Sequence, residues 1–445
     1  MKKHIIIVGA GLAGSLCALY MLKRGYNVEV YEKRGDMRDA VVTAGKSINL
    51  ALSERGWTAL RKVGVDKYVE DISIAMPKRV MHDIEGNLTD QFYGNKDQAI
   101  YSVPRGGLNI LLMNLAEKGG AKIFFNHECI DVDTNAPYLF LKNTITNKDI
   151  SLECDLIVGA DGAFSAVRNK MMRQDRFQYS QHYIEHGYKE LLIPANLDGT
   201  HKIEKNALHI WPRGNFMLIA LPNLDGSYTC TLFSPFDGKD SFSELNDSSD
   251  VLRFFNSIFK DFTPLIPDLV DQFFTNPTSS LGIFKCYPWH IKNYCVLIGD
   301  SAHATVPFYG QGMNASFEDC RVLDELIDKY EENMGEGLRL YSQNRKPNGD
   351  GVQDLSLHNF IVMRDKTADP KFLLQKKIEQ KFAQAYPKKW TPLYSMVSFT
   401  NISYSDAWEI GMKQEELMAS IMSIPNISKI WENEEVMQKM LEMLE

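Results

Sequence analysis

The chain lacks the basic surplus that nucleic-acid binding requires. Its 445 residues include 49 Lys and Arg against 57 Asp and Glu, which gives a formal net charge of -8 at pH 7. Unspecific binding to nucleic acid depends on a basic face that replaces the counterions of the phosphates. The composition therefore argues against nucleic acid as a partner, although it is compatible with a local cationic pocket for a small anion.

Long apolar runs and paired cysteines are also missing. No segment supplies the roughly 18 consecutive apolar residues that a membrane span needs. The seven cysteines are scattered, odd in number and without a CxxC pair, a pattern typical of buried free thiols rather than of a zinc site or a disulfide framework. We therefore predict no membrane span, no metal site and a reducing compartment.

What the chain does contain, at its start, is a strand–helix–strand pattern. Residues 4–8 are apolar throughout, as expected of a parallel strand covered on both faces. Residues 12–24 predict a helix and residues 27–31 a second strand. A signal peptide is the alternative for basic residues before an apolar run, but a glycine pattern interrupts the run and another strand follows. The start of the chain therefore predicts a Rossmann-like unit.

Farther along, the pattern becomes antiparallel and then helical. Short apolar runs between residues 179 and 284 are separated by Pro, Gly and Asn-Asp turns, which predicts an antiparallel sheet. After residue 317 the chain is mostly helical. The remaining elements that we predict are helices at 47–64 and 108–118, strands at 122–125, 152–158 and 294–298, a hairpin turn at 85–87, and a packed amphipathic helix within 431–445.

These patterns predict an α/β fold with interleaved domains. We expect a discontinuous, Rossmann-like dinucleotide-binding domain at residues 1–75, 98–178 and 285–330. Residues 76–97 and 179–284 are predicted to form a substrate domain with an antiparallel sheet. Residues 331–445 are predicted to form a helical C-terminal region that closes the active site.

The first motif with chemical meaning is Gly9-Ala10-Gly11-Leu12-Ala13-Gly14, with Glu32 at the end of the next strand. Glycines at this spacing permit a tight turn, the close approach of a pyrophosphate, and close packing of helix on strand. Glu32 is placed to accept hydrogen bonds from a ribose. The strand, helix and acid around the motif indicate a bound dinucleotide, but they do not separate FAD from NAD.

Two later segments resemble motifs of the single-component flavin aromatic hydroxylases. Residues 155–168, DLIVGADGAFSAVR, resemble their DG motif, and residues 295–307, CVLIGDSAHATVP, resemble their GD motif. The resemblance implies FAD as the cofactor, with Asp300 on its ribityl chain and a helix N-terminus near the flavin ring. Only one GxGxxG motif occurs, and the resemblance implies that NADPH binds transiently without a Rossmann domain of its own. The WxWxIP segment of the related halogenases is missing.

Within this class, nearly the whole chain from residue 5 to about residue 404 resembles the kynurenine 3-monooxygenase family. The stretches that carry the likeness are GKSINLALS at 45–53, RVMH at 79–82, FQYSQ at 177–181, HGY at 186–188, LHIWPR at 208–213, FMLIALP at 216–222, YTCTLF at 228–233, PFYGQGMN at 307–314 and PLY at 392–394.

The resemblance implies a substrate pocket made by residues far apart in sequence: Arg79, Tyr93, Phe308, Asn359, Met363 and Tyr394. Arg79 would grip the substrate carboxylate, and its planar guanidinium suits bidentate recognition, so lysine is not equivalent there. Tyr93 would join it, Asn359 and Tyr394 would complete recognition of the amino acid, and the other two would hold the ring. We assign no residue as a catalytic acid or base.

The cofactor residues combine the glycine motif with positions implied by the resemblance. They are Gly9, Gly11, Ala13, Gly14, Glu32, Arg34, Ala51, Arg105, Asp161, Asp300, Gly312, Met313 and Asn314. Arg105 would lie near the FAD phosphates. His303 is expected to be structural, and Tyr309 departs from relatives with His or Phe at that position, so the resemblance leaves its role open.

The implied activity is that of an FAD-dependent NADPH monooxygenase. It would hydroxylate L-kynurenine to 3-hydroxy-L-kynurenine with O2 through a flavin C4a-hydroperoxide, in tryptophan catabolism by the kynurenine pathway, towards quinolinate and the synthesis of pyridine nucleotides. Eukaryotic members of the family carry a C-terminal membrane anchor, and the sequence ends at Glu445 without one. We therefore expect the soluble bacterial form, cytoplasmic, as a monomer or homodimer.

Three alternatives stay open at this point. One is another flavin aromatic hydroxylase that acts on a phenol or an aromatic acid. A second, from a different class, is a non-catalytic FAD-fold escort protein, which would share the glycine motif. A plain NAD dehydrogenase is the third.

Overall fold

The glycine motif follows the central strand of a mainly parallel sheet. A computed structural model of the protein describes residues 2–39, 49–93, 98–365 and 369–444. Within them the sheet has six strands, in the order His290–Ile291, Cys295–Leu297, Leu156–Gly159, His4–Val8, Asn27–Tyr31 and Lys122–Phe124. Only the first two strands pair antiparallel. Ile5, Ile6 and Ile7 are fully buried in an apolar cluster that includes Leu16 of the first helix and Leu139 and Leu141 of a small antiparallel sheet.

The second large sheet has seven strands. Its strands follow the order Thr278–Tyr287, Gln178–Ile193, Tyr228–Pro235, Met217–Pro222, Ala207–Pro212, Lys78–His82 and Leu88–Phe92. All neighbours are antiparallel except Ala207–Pro212 and Lys78–His82, which run parallel. One face packs on a phenylalanine-rich cluster that includes Trp211, Phe255 and Phe262. The other face is free to line a cavity.

Two small sheets and the helices complete the described fold. One small sheet contains Asp149–Glu153, Tyr138–Asn143 and His127–Val132, and the other contains Asn49–Leu52, Ile100–Pro104 and Ile74–Met76. The α-helices are Leu12–Lys23, Glu54–Val63, Asp66–Glu70, Arg105–Lys118, Ala166–Met171, Ser248–Ile258, Leu269–Thr275, Asp300–His303, Gly312–Lys329, Met334–Asp365, Pro370–Ala385, Leu393–Phe399, Tyr404–Met422, Ile427–Ile430 and Glu434–Glu442. Short 3₁₀ turns occur at Phe242–Glu244, Thr263–Leu265 and Pro307–Tyr309.

Two of the predicted elements were wrong. The predicted strand 152–158 contains the end of one strand and the start of another, since Leu152 pairs with Leu139 in a small sheet while Leu156 pairs with Ile5 in the parallel sheet. Only Cys154 and Asp155 separate the two strands, so the break was missed. The predicted helix 47–64 begins outside the described residues, and its next part is the strand Asn49–Leu52.

Contacts with distant parts of the chain explain the strand at this position. The buried amide of Asn49 donates to the side chains of Ser102 and Asn223, at 3.0 Å and 2.7 Å, and this pins the segment beside Ile100–Pro104. The helix therefore begins only at Glu54. The mixed α/β architecture, the antiparallel sheet and the helical C-terminal part are confirmed, whereas the domain boundaries stay a prediction.

All seven cysteines are buried free thiols. In the described part of the chain, no helix is both long enough and apolar enough to cross a bilayer. The C-terminal helix Glu434–Glu442 buries Val436, Met437 and Met440 in a separate apolar cluster, which confirms its predicted amphipathic packing.

Candidate active site

A single continuous cavity of about 770 Å³ extends from the glycine motif to the free face of the seven-stranded sheet. Most of the predicted site residues line it. They are Gly9, Gly11, Ala13, Glu32, Arg34, Ala51, Arg79, Arg105, Asp161, Asp300, Phe308, Gly312, Met313, Asn359 and Tyr394. Gly14, Tyr93 and Asn314 lie behind this lining, and the side chain of Met363 lies outside the described residues. The sequence-predicted cofactor and substrate residues therefore meet in one place.

The glycine motif forms a cradle with two different kinds of glycine. Gly9 has φ +102°, in the left-handed region, and a Cβ there would lie 2.6 Å from the carbonyl oxygen of Ala160. At Gly14 a Cβ would lie 1.9 Å from the carbonyl oxygen of Gly9, so this glycine packs the helix on the strand turn and does not face the cavity. A Cβ on Gly11 would meet no protein atom within 4 Å and would enter the space that a ligand needs.

Glu32 is held as an oriented acceptor at the end of its strand. Its Oε2 accepts from the amide of Ala10 at 3.0 Å, and its Oε1 accepts from the amide and Nε of Arg34 at 3.0 Å and 2.7 Å. Burial by itself would raise the pKa of this carboxyl, but the hydrogen bonds and charge of Arg34 outweigh burial and leave the pKa lowered. An ionised carboxylate with free lone pairs can accept hydrogen bonds from ribose hydroxyls.

The DG and GD segments hold each other through Arg168. Its guanidinium donates to the carbonyls of Ser301 and Ala163, at 3.0 Å and 2.6 Å. Asp161 accepts from the hydroxyl of Ser165 and the amide of Ala166, at 2.5 Å and 2.6 Å, and burial raises its pKa. The two motifs therefore form one wall of the cavity although more than a hundred residues separate them.

His303 of the GD segment faces away from the cavity. Its Nε2 lies 2.5 Å from Oδ2 of Asp319, whose other oxygen accepts from Nε of Arg345 at 2.7 Å. All three side chains are buried. This arrangement fits the expected structural role of His303 beside the cofactor site.

The helix Gly312–Lys329 begins at the cavity, with Gly312, Met313 and Ser316 on its lining. The unpaired amides and dipole at such an N-terminus favour negative charge. Asn314 does not face the cavity. Its side chain instead accepts from the amide of Ser53 at 2.9 Å and donates to the carbonyl of Ala51 at 2.9 Å, which holds the Ala51 backbone next to the helix start.

At the other end of the cavity, Arg79 presents a cation between aromatic rings. The centre of its guanidinium lies 4.2 Å from the ring centroid of Tyr394 and 5.2 Å from that of Tyr93. Among the described residues no carboxylate lies within ion-pair distance of this side chain, and its buried Nε has no hydrogen-bond partner. A buried cation without a counterion is unfavourable, so this end of the cavity is suited to an anionic ligand group.

The apolar part of the same end is made by stacked rings. Phe308 lies on Phe360 with centroids 4.3 Å apart and touches Phe233 at 4.9 Å. The amide of Asn359 donates to the carbonyl of Phe308 at 2.7 Å, which fixes the turn Pro307–Tyr309. Tyr309 stacks on Tyr394 with centroids 5.6 Å apart and lines the cavity in the position that the resemblance left open.

Several polar residues of the cavity were missed at the level of sequence, and two of them lie on the sheet face. Thr231 and Glu190 lie directly opposite each other on neighbouring strands of the seven-stranded sheet, and both line the cavity. The hydroxyl of Thr231 is buried without a partner among the described residues. Burial raises the pKa of Glu190, and the charge of Arg105 opposes this effect. Period-two alternation puts both on one face, but the sequence does not say which face meets the cavity.

The comparisons with known proteins agree with this geometry. A family described as FAD binding domain matches residues 2–356. Among solved structures, 2-methyl-3-hydroxypyridine-5-carboxylic acid oxygenase has a TM-score of 0.68 at 20% identity, over 83% of this chain and 94% of that chain. A tetracycline destructase has a TM-score of 0.61 at 17% identity, over 90% and 100%. These two likenesses concern the fold alone. Fold and cavity together define a flavoprotein with an FAD-binding domain.

Curated relatives narrow the family. Kynurenine 3-monooxygenase of Christiangramia forsetii is 49% identical over 444 residues, which cover 100% of this chain and 99% of the relative. The enzymes of Flavobacterium johnsoniae and Dictyostelium discoideum are 48% and 42% identical, over 99% and 95% of this chain and 98% and 94% of the relatives. The chain belongs to the kynurenine 3-monooxygenase family, which confirms the resemblance found in the sequence.

The residues present fit FAD. The space beside Gly11 admits a pyrophosphate. Glu32 is an ionised acceptor at the position where such folds bind the ribose. The helix start at Gly312 favours the electron-rich ring system of a flavin. Asp300 is exposed to the cavity, where it can accept from hydroxyls of the ribityl chain. FAD is therefore the cofactor of the chain.

Replacement of Gly11 tests the cradle. Gly11→Ala should leave the apoprotein fold intact, since the new methyl group meets no protein atom within 4 Å, yet it should weaken FAD binding by roughly tenfold or more through overlap with the pyrophosphate. Flavin absorbance per protein, and the thermal midpoint of the apoprotein, are the measurements.

Gly107→Ala is the matched control for this change. Gly107 lies in a helix outside the cavity lining, and its Cβ would make only ordinary contact with Pro104, at 3.6 Å or more. This variant should retain FAD as the unmodified protein does. A Gly11→Ala protein with full FAD content would show that the pyrophosphate lies elsewhere.

Proposed function

We propose that the chain hydroxylates L-kynurenine to 3-hydroxy-L-kynurenine. The observation that carries this proposal is the Arg79 guanidinium, a cation with two tyrosine rings beside it and no described carboxylate within reach, in the same cavity as the FAD cradle. The full-length relation to enzymes named kynurenine 3-monooxygenase supports it. The overall reaction consumes NADPH, a proton and O2 and yields the hydroxylated amino acid, NADP⁺ and water.

The roles of the individual residues in this proposal follow from their positions in the cavity. Bound FAD, reduced by NADPH, supplies the activation of O2. Arg79 binds the substrate carboxylate, and the rings of Tyr93 and Tyr394 lie against the guanidinium and stabilise its charge. Phe308 packs along the substrate ring. The charge that holds the amino acid is thus remote from the carbon that reacts, and it acts by positioning.

The ring-side half of the cavity is mostly apolar, and this has two effects. Side chains such as Ile219, Leu221 and Met217 exclude water from the reacting carbon. The aniline nitrogen of kynurenine already donates electron density to the carbon ortho to it. A protein base at that carbon is therefore not required, in agreement with the assignment of positioning roles alone to the site residues.

We further propose that Thr231 provides a polar contact on the sheet face. Its hydroxyl faces the cavity without a described partner, and the substrate carries a ketone oxygen and an aniline nitrogen at its ring end. A hydrogen bond to either group would remove the cost of the buried, unpaired hydroxyl. Glu190 lies beyond Thr231 on the next strand and adds an acceptor on the same side.

The finer expectations belong to the same proposal. We propose a cytoplasmic location, supported by the relation to bacterial enzymes, and a role in tryptophan catabolism towards quinolinate. We propose a monomer or a homodimer as the oligomeric state.

The reaction itself is tested by oxygen-dependent oxidation of NADPH in the FAD-loaded protein. L-Kynurenine should stimulate oxidation strongly, while anthranilate and 4-hydroxybenzoate should stimulate it far less, because neither places a carboxylate at Arg79 and an aniline ring beside Phe308 together. The product should be heavier than kynurenine by one oxygen atom. Stimulation by 4-hydroxybenzoate alone would instead favour another aromatic hydroxylase.

Removal of the Arg79 charge tests the substrate end. Arg79→Ala should raise KM for L-kynurenine by roughly ten- to hundredfold, as expected for the loss of a charge-assisted pair worth about 1.5–3 kcal/mol. It should also raise the H2O2 released per NADPH, because a poorly held substrate leaves activated oxygen to decompose. Arg79→Lys should recover only part of the loss. Arg61→Ala, at an exposed ion pair with Glu54, is the control; wild-type KM in Arg79→Ala would remove this residue from the site.

Thr231→Val tests whether the hydroxyl of Thr231 forms a hydrogen bond with the substrate. If the hydroxyl bonds the substrate, KM rises about three- to tenfold while FAD content is unchanged. If it bonds nothing, the valine variant should be as active and slightly more stable, because an unpaired buried polar group has been removed. Steady-state kinetics and thermal unfolding of the same preparation distinguish the two results.

A further inference from the structure

The far face of the seven-stranded sheet carries a buried chain of hydrogen bonds through two histidines. His82 is the last residue of the strand that bears Arg79, and its Nδ1 lies 2.6 Å from Oδ2 of Asp261. Its Nε2 lies 2.9 Å from Nδ1 of His209, and Nε2 of His209 lies 2.8 Å from the carbonyl oxygen of Glu204. Because side chains alternate along a strand, both histidines point away from the cavity that Arg79 enters.

We call Asp261, His82, His209 and the Glu204 carbonyl the histidine chain. Its two imidazole rings are shielded from solvent. His82 and His209 are 3% and 1% exposed. The ring of His82 stacks on Trp211 with centroids 3.9 Å apart, and Nε1 of Trp211 donates to both oxygens of Asp261, at 3.1 Å and 3.0 Å. All four ring nitrogens thus have their partners within the chain, and a broken link would leave a buried polar atom unpaired.

The number of protons in this chain follows from its partners. The Glu204 carbonyl only accepts, so the His209 nitrogen that faces it must carry a proton. The contact between the rings needs one further proton. The contact between His82 and Asp261 needs a third proton, bound either to Nδ1 of His82 or to the carboxyl group of Asp261. Two neutral imidazoles supply two protons, so three intact links require one extra proton, balanced by the carboxylate charge.

The surroundings place this proton at the Asp261 end. Burial lowers the pKa of His209 to about 4, which makes it the neutral member of the pair. Burial alone would raise the pKa of Asp261, but hydrogen bonds from His82 and Trp211 outweigh it and lower the pKa. The negative charge of this link therefore lies on Asp261, and the geometry requires a proton in its contact with Nδ1 of His82.

Other charged and titratable groups around the chain are already engaged. They are Lys78, Asp83, Glu204, Arg213 and Tyr228. Lys78 pairs with Asp90 and the Glu204 carboxylate at 2.6 Å and 2.9 Å. Arg213 donates to the carbonyls of His82 and Asp83, and the hydroxyl of Tyr228 donates to the carbonyl of Ile203. None of these contacts reaches a histidine nitrogen, so the loss of a proton must break a link of the chain itself.

The histidine chain also stabilises the position of the strand that carries Arg79. On one side Lys78–His82 pairs with Leu88–Phe92, an edge strand exposed at every residue. On the other side it pairs with Ala207–Pro212, where Arg79 lies opposite Leu208 and Val80 opposite His209. The bond between His82 and His209 crosses this second pairing and adds a side-chain link where the outer support is weak.

We propose that the histidine chain is a positioning device for Arg79, which holds three protons when intact and loosens the substrate site when one is lost. His82, His209 and Asp261 are positioning residues, since they touch neither substrate nor cofactor. The inference rests on the proposed function in one respect, namely that Arg79 binds the substrate carboxylate. As pH rises and the third proton leaves, KM for L-kynurenine should increase while kcat changes less.

Asp261→Asn provides a specific test. The asparagine amide donates to Nδ1 of His82, so all three links can form with two neutral rings and no ionisable proton is needed. In the unmodified protein, KM should rise roughly threefold or more on the alkaline side; in Asp261→Asn this rise should be absent. Asp250→Asn makes the same chemical change on the neighbouring helix, outside the chain, and should follow the unmodified protein. Titration of the substrate affects all three proteins alike and cancels in the comparison.

Proton counting tests the chain without any substrate. In FAD-loaded protein labelled with ¹⁵N-histidine, His82 and His209 should show three ring N–H protons between them, and Asp261→Asn should show two. Two in the unmodified protein would overturn the proposal, even if the variant does not fold. Three protons with identical KM profiles in both proteins would overturn the positioning role. If L-kynurenine neither binds nor reacts, the proposed function fails. The proton count still tests whether the histidine chain holds three protons.

Discussion

The guanidinium of Arg79, which has no carboxylate partner among the described residues, is the constraint around which the substrate end of the molecule is organised. A cation in a mostly apolar cavity is unfavourable without a counterion, and the described residues surround it with the rings of Tyr93 and Tyr394 rather than with a carboxylate. The rings stabilise the charge without neutralising it. The site therefore keeps a strong preference for an anionic group, which the carboxylate of the proposed amino-acid substrate would satisfy.

The two ends of the cavity are coupled through one short piece of chain. The turn Pro307–Tyr309 brings Phe308 to the substrate end, and the helix that starts at Gly312 borders the cofactor end. The amide of Asn359 holds this turn from the long C-terminal helix, and Asn314 holds the helix start against Ala51. In the proposed complex this backbone, held from both sides, would determine the separation between flavin and substrate ring, which suits a reaction controlled by positioning.

Sequence reasoning was most effective where the physics is local. The glycine motif, its strand and helix, and Glu32 lie within one short segment, so spacing alone predicted them. Arg79 and Tyr394 come together from segments more than three hundred residues apart, and only the resemblance pointed to them. Thr231 and the His82–His209 link depend on which face of a sheet is turned inward and on strand order, which a single sequence does not reveal.

The central claim is that Arg79 binds the substrate carboxylate while the flavin lies in the same cavity. Titration of the oxidised, FAD-loaded protein with L-kynurenine and with its decarboxylated analogue kynurenamine, followed by flavin absorbance, tests this claim most directly. L-Kynurenine should perturb the flavin spectrum and bind at least about tenfold more tightly than the analogue, as the loss of a charge-assisted pair implies. Equal affinities for the two compounds, or binding that leaves the flavin spectrum unchanged, would contradict the account.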